Sequence, residues 1–287
     1  MPAVPAASPF AAAYAPTVEW HSREWNDALT RARDAPYPVL ATTLKTALAR
    51  TKVPVPLRAR LGGFTGQLVI SGLARPKTLE AAHARRHHLF EYFASSRVDI
   101  LCSPGPVRAR TDSPAKAAAD LERAFEFYTD AAAVLPRVAF TLPGGPQPPS
   151  ALKRCWEFIS EAGVKHVAIG AQQHRRGVLD ATILNLAKTG NATMPPDVAV
   201  LVFGVGSQRR VAVLNQLLRG RPVLYSNTIP AARANFFQML PGKRPAPTGM
   251  TKAAVYAHNT ILMAGAVDYV INLPPPRRPP QPVTQRR

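Results

Sequence analysis

The sequence predicts an α/β protein, a (β/α)8 TIM-like barrel with Pro-rich flexible N- and C-terminal arms. Three observations carry this. Short β-branched or aliphatic runs alternate with longer helical patterns through the body of the chain. The runs are apolar throughout, as in strands buried on both faces. The 287 residues leave room for two β-α units beyond the six that are visible. A doubly wound open sheet is the second architecture that fits, because it too joins parallel strands by right-handed crossovers.

In chain order, residues 1–17 are Ala/Pro-rich and uncharged and read as a flexible arm. Val18–Arg33, with Glu19, Trp20 and Trp25, reads as an amphipathic helix docked on the barrel. Strands are expected at Gln67–Ser71, Val98–Ser103, Arg137–Leu142, Lys165–Gly170, Val198–Gly204 and Pro222–Ser226. Helices are expected at Lys77–Ser95, Pro114–Val134, Ser150–Ala162, Val178–Thr189, Gln208–Leu218 and Thr251–Tyr269. Ser113-Pro114 and Pro149-Ser150 supply helix starts, and Gly163 and Gly190 supply stops. Residues 18–273 thus form one barrel domain, followed by a Pro/Arg-rich tail over 274–287 that reads as extended and polyproline-like.

Composition narrows the function. Lys+Arg is 36 against Asp+Glu 17, a formal charge of +19, so the surface attracts polyanions, and nucleic acid is the commonest. The two cysteines, Cys102 and Cys155, exclude a disulfide framework and an all-cysteine zinc site, and suit a reducing compartment. No run reaches the roughly 18 apolar residues of a membrane span, and the first residues lack the basic and apolar regions of a signal peptide. A cytoplasmic protein without membrane contact is expected.

In a parallel barrel, ligands meet the loops at the C-terminal ends of the strands. The small-residue loops assigned there are Leu61-Gly62-Gly63-Phe64, Cys102-Ser103-Pro104-Gly105-Pro106, Leu142-Pro143-Gly144-Gly145, Ile169-Gly170-Ala171-Gln172, Phe203-Gly204-Val205-Gly206-Ser207 and Tyr225-Ser226-Asn227-Thr228. Such loops let a planar ligand or a sugar-phosphate backbone approach the main chain; they also serve as plain tight turns.

These loops, with neighbouring segments, resemble the tRNA-guanine transglycosylase superfamily, which includes queuine and archaeosine enzymes and DNA-modifying relatives. The resemblance lies in Gly62-Gly63-Phe64, in Val98-Asp99-Ile100 with Ser113-Pro114-Ala115-Lys116-Ala117 and Asp120-Leu121-Glu122-Arg123, in Pro143-Gly144-Gly145, in Val167-Ala168-Ile169-Gly170-Ala171, in Val202-Phe203-Gly204-Val205-Gly206, and in Ala257-His258-Asn259. The segments follow the family's order from about Arg60 to Ile271.

The resemblance implies a (β/α)8 barrel that exchanges guanine for a 7-deazaguanine base in DNA or tRNA, a pentosyltransferase working through an aspartate nucleophile and a second carboxylate. It implies a base site at Gly62, Gly63, Phe64, Ser103, Gly144, Gly145, Gly170, Ala171, Gln172, Gly204, Val205 and Gly206, with guanine or a 7-deazaguanine as ligand, and a homo- or heterodimer. The family's acids are not matched. Arg60-Leu61 replaces Asp-Ser before the first glycines, Ser103 stands where the base-recognising Asp falls, and Ser226 takes the nucleophile position. Asp112 is the nearest substitute acid, although Asp also opens helices. The alternative implied is a catalytically silent, nucleic-acid-binding partner subunit.

No cofactor and no metal is expected. His258 lacks cysteine partners and reads as a helix-packing residue. His83 and His87, at helical i,i+4 spacing beside Glu80, Arg85, Arg86 and His88, read as a solvated basic face. Arg175, Arg176, Arg209 and Arg210 follow rim loops and are the expected nucleic-acid backbone contacts, because cations at a helix N-terminus are unfavourable until an anion joins them. No Gly-x-Ser-x-Gly elbow, phosphate-binding P-loop or complete dinucleotide loop is present.

Overall fold

The computed structural model describes residues 8–17, 38–50, 55–61, 63–74, 76–106, 112–144, 147–170, 187–190, 192–204, 208–227 and 229–272. The strands in chain order are β1 (Tyr14–Pro16), β2 (Val39–Thr43), β3 (Gln67–Ser71), β4 (Leu73–Ala74), β5 (Ile100–Cys102), β6 (Gly105–Pro106), β7 (Val138–Thr141), β8 (His166–Gly170), β9 (Ala199–Phe203), β10 (Val223–Asn227), β11 (Gln238–Met239) and β12 (Arg244–Pro245). The helices are α1 (Leu44–Arg50), α2 (Leu57–Arg60), α3 (Pro76–Ala84), α4 (Arg86–Ser95), α5 (Pro114–Val134), α6 (Pro149–Glu161), α7 (Gln208–Leu217), α8 (Ile229–Asn235) and α9 (Lys252–Ile271).

Eight strands form one parallel sheet in the order β1-β10-β9-β8-β7-β5-β3-β2. From β2 onward each pairs with the next long strand in the chain, and β1 pairs with the last, Tyr14 opposite Tyr225. A parallel bridge between Thr17 and Ala41 joins β1 to β2 at the remaining seam. The sheet is therefore a (β/α)8 TIM-like barrel and not the open doubly wound alternative.

The expectation of a flexible arm through residue 17 is corrected by β1. Tyr14 and Ala15 are buried, and Phe10 enters the barrel interior from the N-terminal end. Gln67 fastens the incoming segment there, donating from Nε2 to the Pro9 carbonyl (2.9 Å) and accepting from the Ala11 amide (3.1 Å). An uncharged Ala/Pro stretch has no strand periodicity to betray it; pairing with the barrel edge overrides its weak propensity. The second strand missing from the sequence reading is β2. The Val18–Arg33 helix, most of Val178–Thr189 and the 274–287 tail lie outside the described residues.

Strand parity sorts the core into two shells. Ala15, Val39, Ala41, Val69, Ile100, Cys102, Ala139, Ala168, Ala199, Leu201, Phe203 and Leu224 fill the barrel with Phe10. Alanines at so many interior positions leave space that Phe10 and Phe203 take up from opposite ends. The alternate residues pack outward against the helices, and Phe140 meets Phe125, Tyr128 and Phe158 with ring centroids 5.6, 6.0 and 5.1 Å away. Helix α5 starts as expected: Pro114 is its first residue and the Ser113 hydroxyl accepts from the Lys116 amide (3.1 Å). The single helix expected over 77–95 is two helices that break at Arg85. His83 and His87 therefore share no continuous face; His83 contacts Glu126 at 3.1 Å and Arg86 pairs with Asp130 at 2.6 Å.

Candidate ligand-binding rim

The two ends of the barrel differ in chemistry. Two ion pairs stand at the N-terminal end, where Arg58 bonds Asp99 (2.6 Å) and Lys165 bonds Asp197 (2.8 Å). The Lys165 ammonium holds the Asp197 carboxyl below its ordinary range. His166 also lies at this end, facing inward by its parity with Ala168 and edge-on to Phe10. Burial, then the Arg137 charge, lowers its proton affinity.

The C-terminal end carries hydroxyls. Two residues beyond inward-facing Ala15, Ala41, Val69, Ala139 and Leu224 stand Thr17, Thr43, Ser71, Thr141 and Ser226, which by parity share the interior side. Among the described residues, none of the eight strand ends holds a carboxylate or an imidazole. The Thr17 and Ser226 hydroxyls bond each other at 3.0 Å, and the Tyr256 hydroxyl donates to the Thr17 carbonyl at 2.6 Å. Thr43 is used locally, its oxygen accepting from the Thr46 amide at the start of α1. Thr141 is fully buried, and its hydroxyl has no hydrogen-bond partner among the described residues. Beneath the rim, burial pushes the Cys102 thiol up to about 12, so it stays neutral.

Five of the six expected loops lie at this end. Ser103 follows β5, fully buried, and its oxygen accepts from the Thr141 amide at 3.1 Å. Gly144 follows β7 and donates to the Pro106 carbonyl (2.9 Å), Gly170 ends β8, and Gly204 follows β9 and donates to the Ser226 carbonyl (2.8 Å). Gly204 has φ +81°, a left-handed conformation that glycine adopts without strain. Gly72, absent from the sequence reading, is also demanded here: a Cβ would lie 1.9 Å from the Ser103 carbonyl oxygen.

The sixth loop is a correction. Gly63 and Phe64 lie between α2 and β3, ahead of the strand, and so at the opposite end of the barrel. Arg58 pins them there by donating to the Phe64 and Gly66 carbonyls at 2.8 and 2.7 Å. Arg60 belongs to the same end. A glycine pair signals a turn but not which end of the sheet it serves. Gly62, Gly145, Ala171, Gln172, Arg175, Arg176, Val205 and Gly206 lie outside the described residues.

Asp112 precedes the cap of α5 and lines a shallow hollow at the rim with Pro106, Asp120, Leu121, Pro143 and Gln147. Asp120 is engaged by Lys116 (2.7 Å) and Arg123 (3.7 Å), and the Asp120 bond raises the Lys116 proton affinity. Arg209 and Arg210 stand in the first turn of α7, which has no acidic residue. His258 packs as expected, its Nε2 lying 3.3 Å from the Leu240 carbonyl. No group of metal-ligating side chains occurs among the described residues, and none of their helices is long and apolar enough to cross a membrane. No family model and no curated protein matches this chain.

The rim residues that sequence reasoning missed are Thr17, Thr43, Ser71 and Thr141. Their signal was parity, which is readable only once both missing strands and the register are known.

Proposed function

We propose that this chain is a nucleic-acid-binding barrel of the guanine-transglycosylase type that performs no base exchange by itself and serves as the catalytically silent subunit of such an enzyme. The observation that carries this reading is that, among the described residues, no strand end at the rim holds a carboxylate. Glycosyl exchange through a covalent intermediate needs a nucleophilic carboxylate and a second acid or base. Where the resemblance asks for carboxylates, Ser103 accepts from a backbone amide and Ser226 shares its hydrogen bond with Thr17. No described base stands beside Ser226 to activate it. The third such position, Arg60, is at the other end. The binding half of the reading is supported by the +19 charge and by cationic Arg209 and Arg210 on a rim helix.

One observation favours base exchange as a second reading: Asp112 and Asp120 share a hollow on the rim. Incubation with labelled guanine and either DNA or tRNA, with and without a candidate catalytic partner, separates the two. The silent-subunit reading expects salt-dependent binding and no label from this chain alone. Label incorporated by the chain alone, and lost on Asp112→Asn, overturns it in favour of exchange.

A further inference from the structure

We infer that the β11–β12 hairpin is a stacking platform for single-stranded nucleic acid, with Phe236 taking a base and Lys243, Arg244 and Lys252 taking phosphates. This rests on the nucleic-acid-binding reading above and names the element and the form of the partner.

The first observation is charge. Between Asp197 and Asp268 the chain has no acidic residue, while Arg209, Arg210, Arg219, Arg221, Arg233, Lys243, Arg244 and Lys252 fall within that span. The span builds consecutive elements from β9 to most of α9, so that sector of the barrel contributes cations and no carboxylate of its own. No ion pair among the described residues involves Lys243, Arg244 or Lys252.

The second observation is aromatic exposure. Phe236 is 74% exposed and Phe237 44%, side by side where α8 gives way to the hairpin. Phe237 has φ +49°, a left-handed conformation that is strained for a residue with a side chain, and it persists because its surroundings fix it. Its amide donates to the Ala234 carbonyl and its carbonyl accepts from the Ala246 amide (2.8 Å). The Lys252 ammonium stands over its ring, 5.5 Å from the centroid.

The third observation is anchorage at the rim. Asn259 is fully buried and ties the hairpin to the barrel: its Oδ1 accepts from the Leu240 amide (2.7 Å), and its Nδ2 donates to the Gln238 carbonyl (2.9 Å) and, at 3.5 Å, to that of Pro230, just after β10. One turn earlier on α9, the Tyr256 hydroxyl reaches the C-terminal end of β1. The two rings thus ride on a fixed element beside the barrel mouth.

Exposed rings in a stretch that carries cations and no acid fit unpaired bases, whose π-faces stack and whose phosphates need positive partners. A duplex hides those faces. An anionic membrane would meet the same charges, but two rings form a small apolar anchor and belong to a rigid hairpin rather than an amphipathic helix.

The test uses the full chain and a fluorescein-labelled oligothymidine strand, read by anisotropy, against its duplex, an abasic strand of equal length and phosphatidylglycerol vesicles. Phe236→Ala and Phe236→Leu should each weaken single-strand binding about tenfold. Both should keep the wild-type salt slope and leave abasic binding unchanged. Lys243→Gln with Arg244→Gln should flatten the plot of log K against log salt by about 1.4. Equal binding by Phe236→Ala and wild type, equal loss on the abasic strand, or a preference for duplex or vesicles overturns the platform. If wild type binds duplex or tRNA while Phe236→Ala changes nothing, the platform fails and the nucleic-acid reading stands. If wild type binds no nucleic acid, both fall.

Discussion

Thr141 keeps a fully buried hydroxyl with no partner among the described residues, an arrangement that costs a folded protein stability. Thr141→Val preserves shape and removes the desolvated group, so the variant should be more stable by about 1 kcal/mol, read as a higher urea midpoint at unchanged m-value. A lower midpoint would mean that the hydroxyl is satisfied in solution. His166, at the opposite end, gives a pH dependence whose sign follows from its environment. Burial and Arg137 make it a weaker base in the folded chain than in the unfolded one. The unfolded chain therefore takes up the proton first as pH falls. The His166 contribution to stability should be intact above its ordinary value of 6.5 and should shrink below it. Urea midpoints at pH 7 and pH 5 should differ less for His166→Gln than for wild type, and an equal difference would remove the assignment.

Among the elements, β7 shows how a strand serves both shells at once. Ala139 and Thr141 face the barrel interior, while Phe140 projects into the rings of α5 and α6. Phe140→Ala should cost about 3–5 kcal/mol, measured by urea unfolding, because it empties a fully packed aromatic site. The six strands carrying the β-branched runs were legible from those residues alone, and α5 was legible to its ends because Ser113-Pro114 opens it. Two strands were not. Tyr14–Pro16 is Ala/Pro-rich and owes its conformation to β10, an influence that acts across the whole fold. The Lys77–Ser95 periodicity ran through a break at Arg85 because both halves bury one apolar face. The rim loops were legible as turns, whereas the side of the barrel holding Gly63 and Phe64 was not, since it depends on which strand follows the turn. The hydroxyl ring needed register, and register needed every strand.

At the scale of the molecule, the chain separates stability from recognition by end. The Arg58–Asp99 and Lys165–Asp197 pairs, the Arg58 clamp and the Phe10 plug occupy the N-terminal end, and the glycine loops, the hydroxyl ring and the hairpin occupy the other. With 36 basic against 17 acidic side chains, self-repulsion works against compactness, and a bound polyanion relieves it.

The seam between β1 and β10 has a further consequence. Thr17 and Ser226, bonded across it, are 209 residues apart in the chain. During synthesis the earliest described strand emerges long before its mate and must wait, joined only at the Thr17–Ala41 bridge, until β10 leaves the ribosome. Contacts of such high sequence separation form slowly. Until then the nascent chain presents open sheet edges, and closing the barrel waits on the emergence of one short stretch, Val223–Asn227.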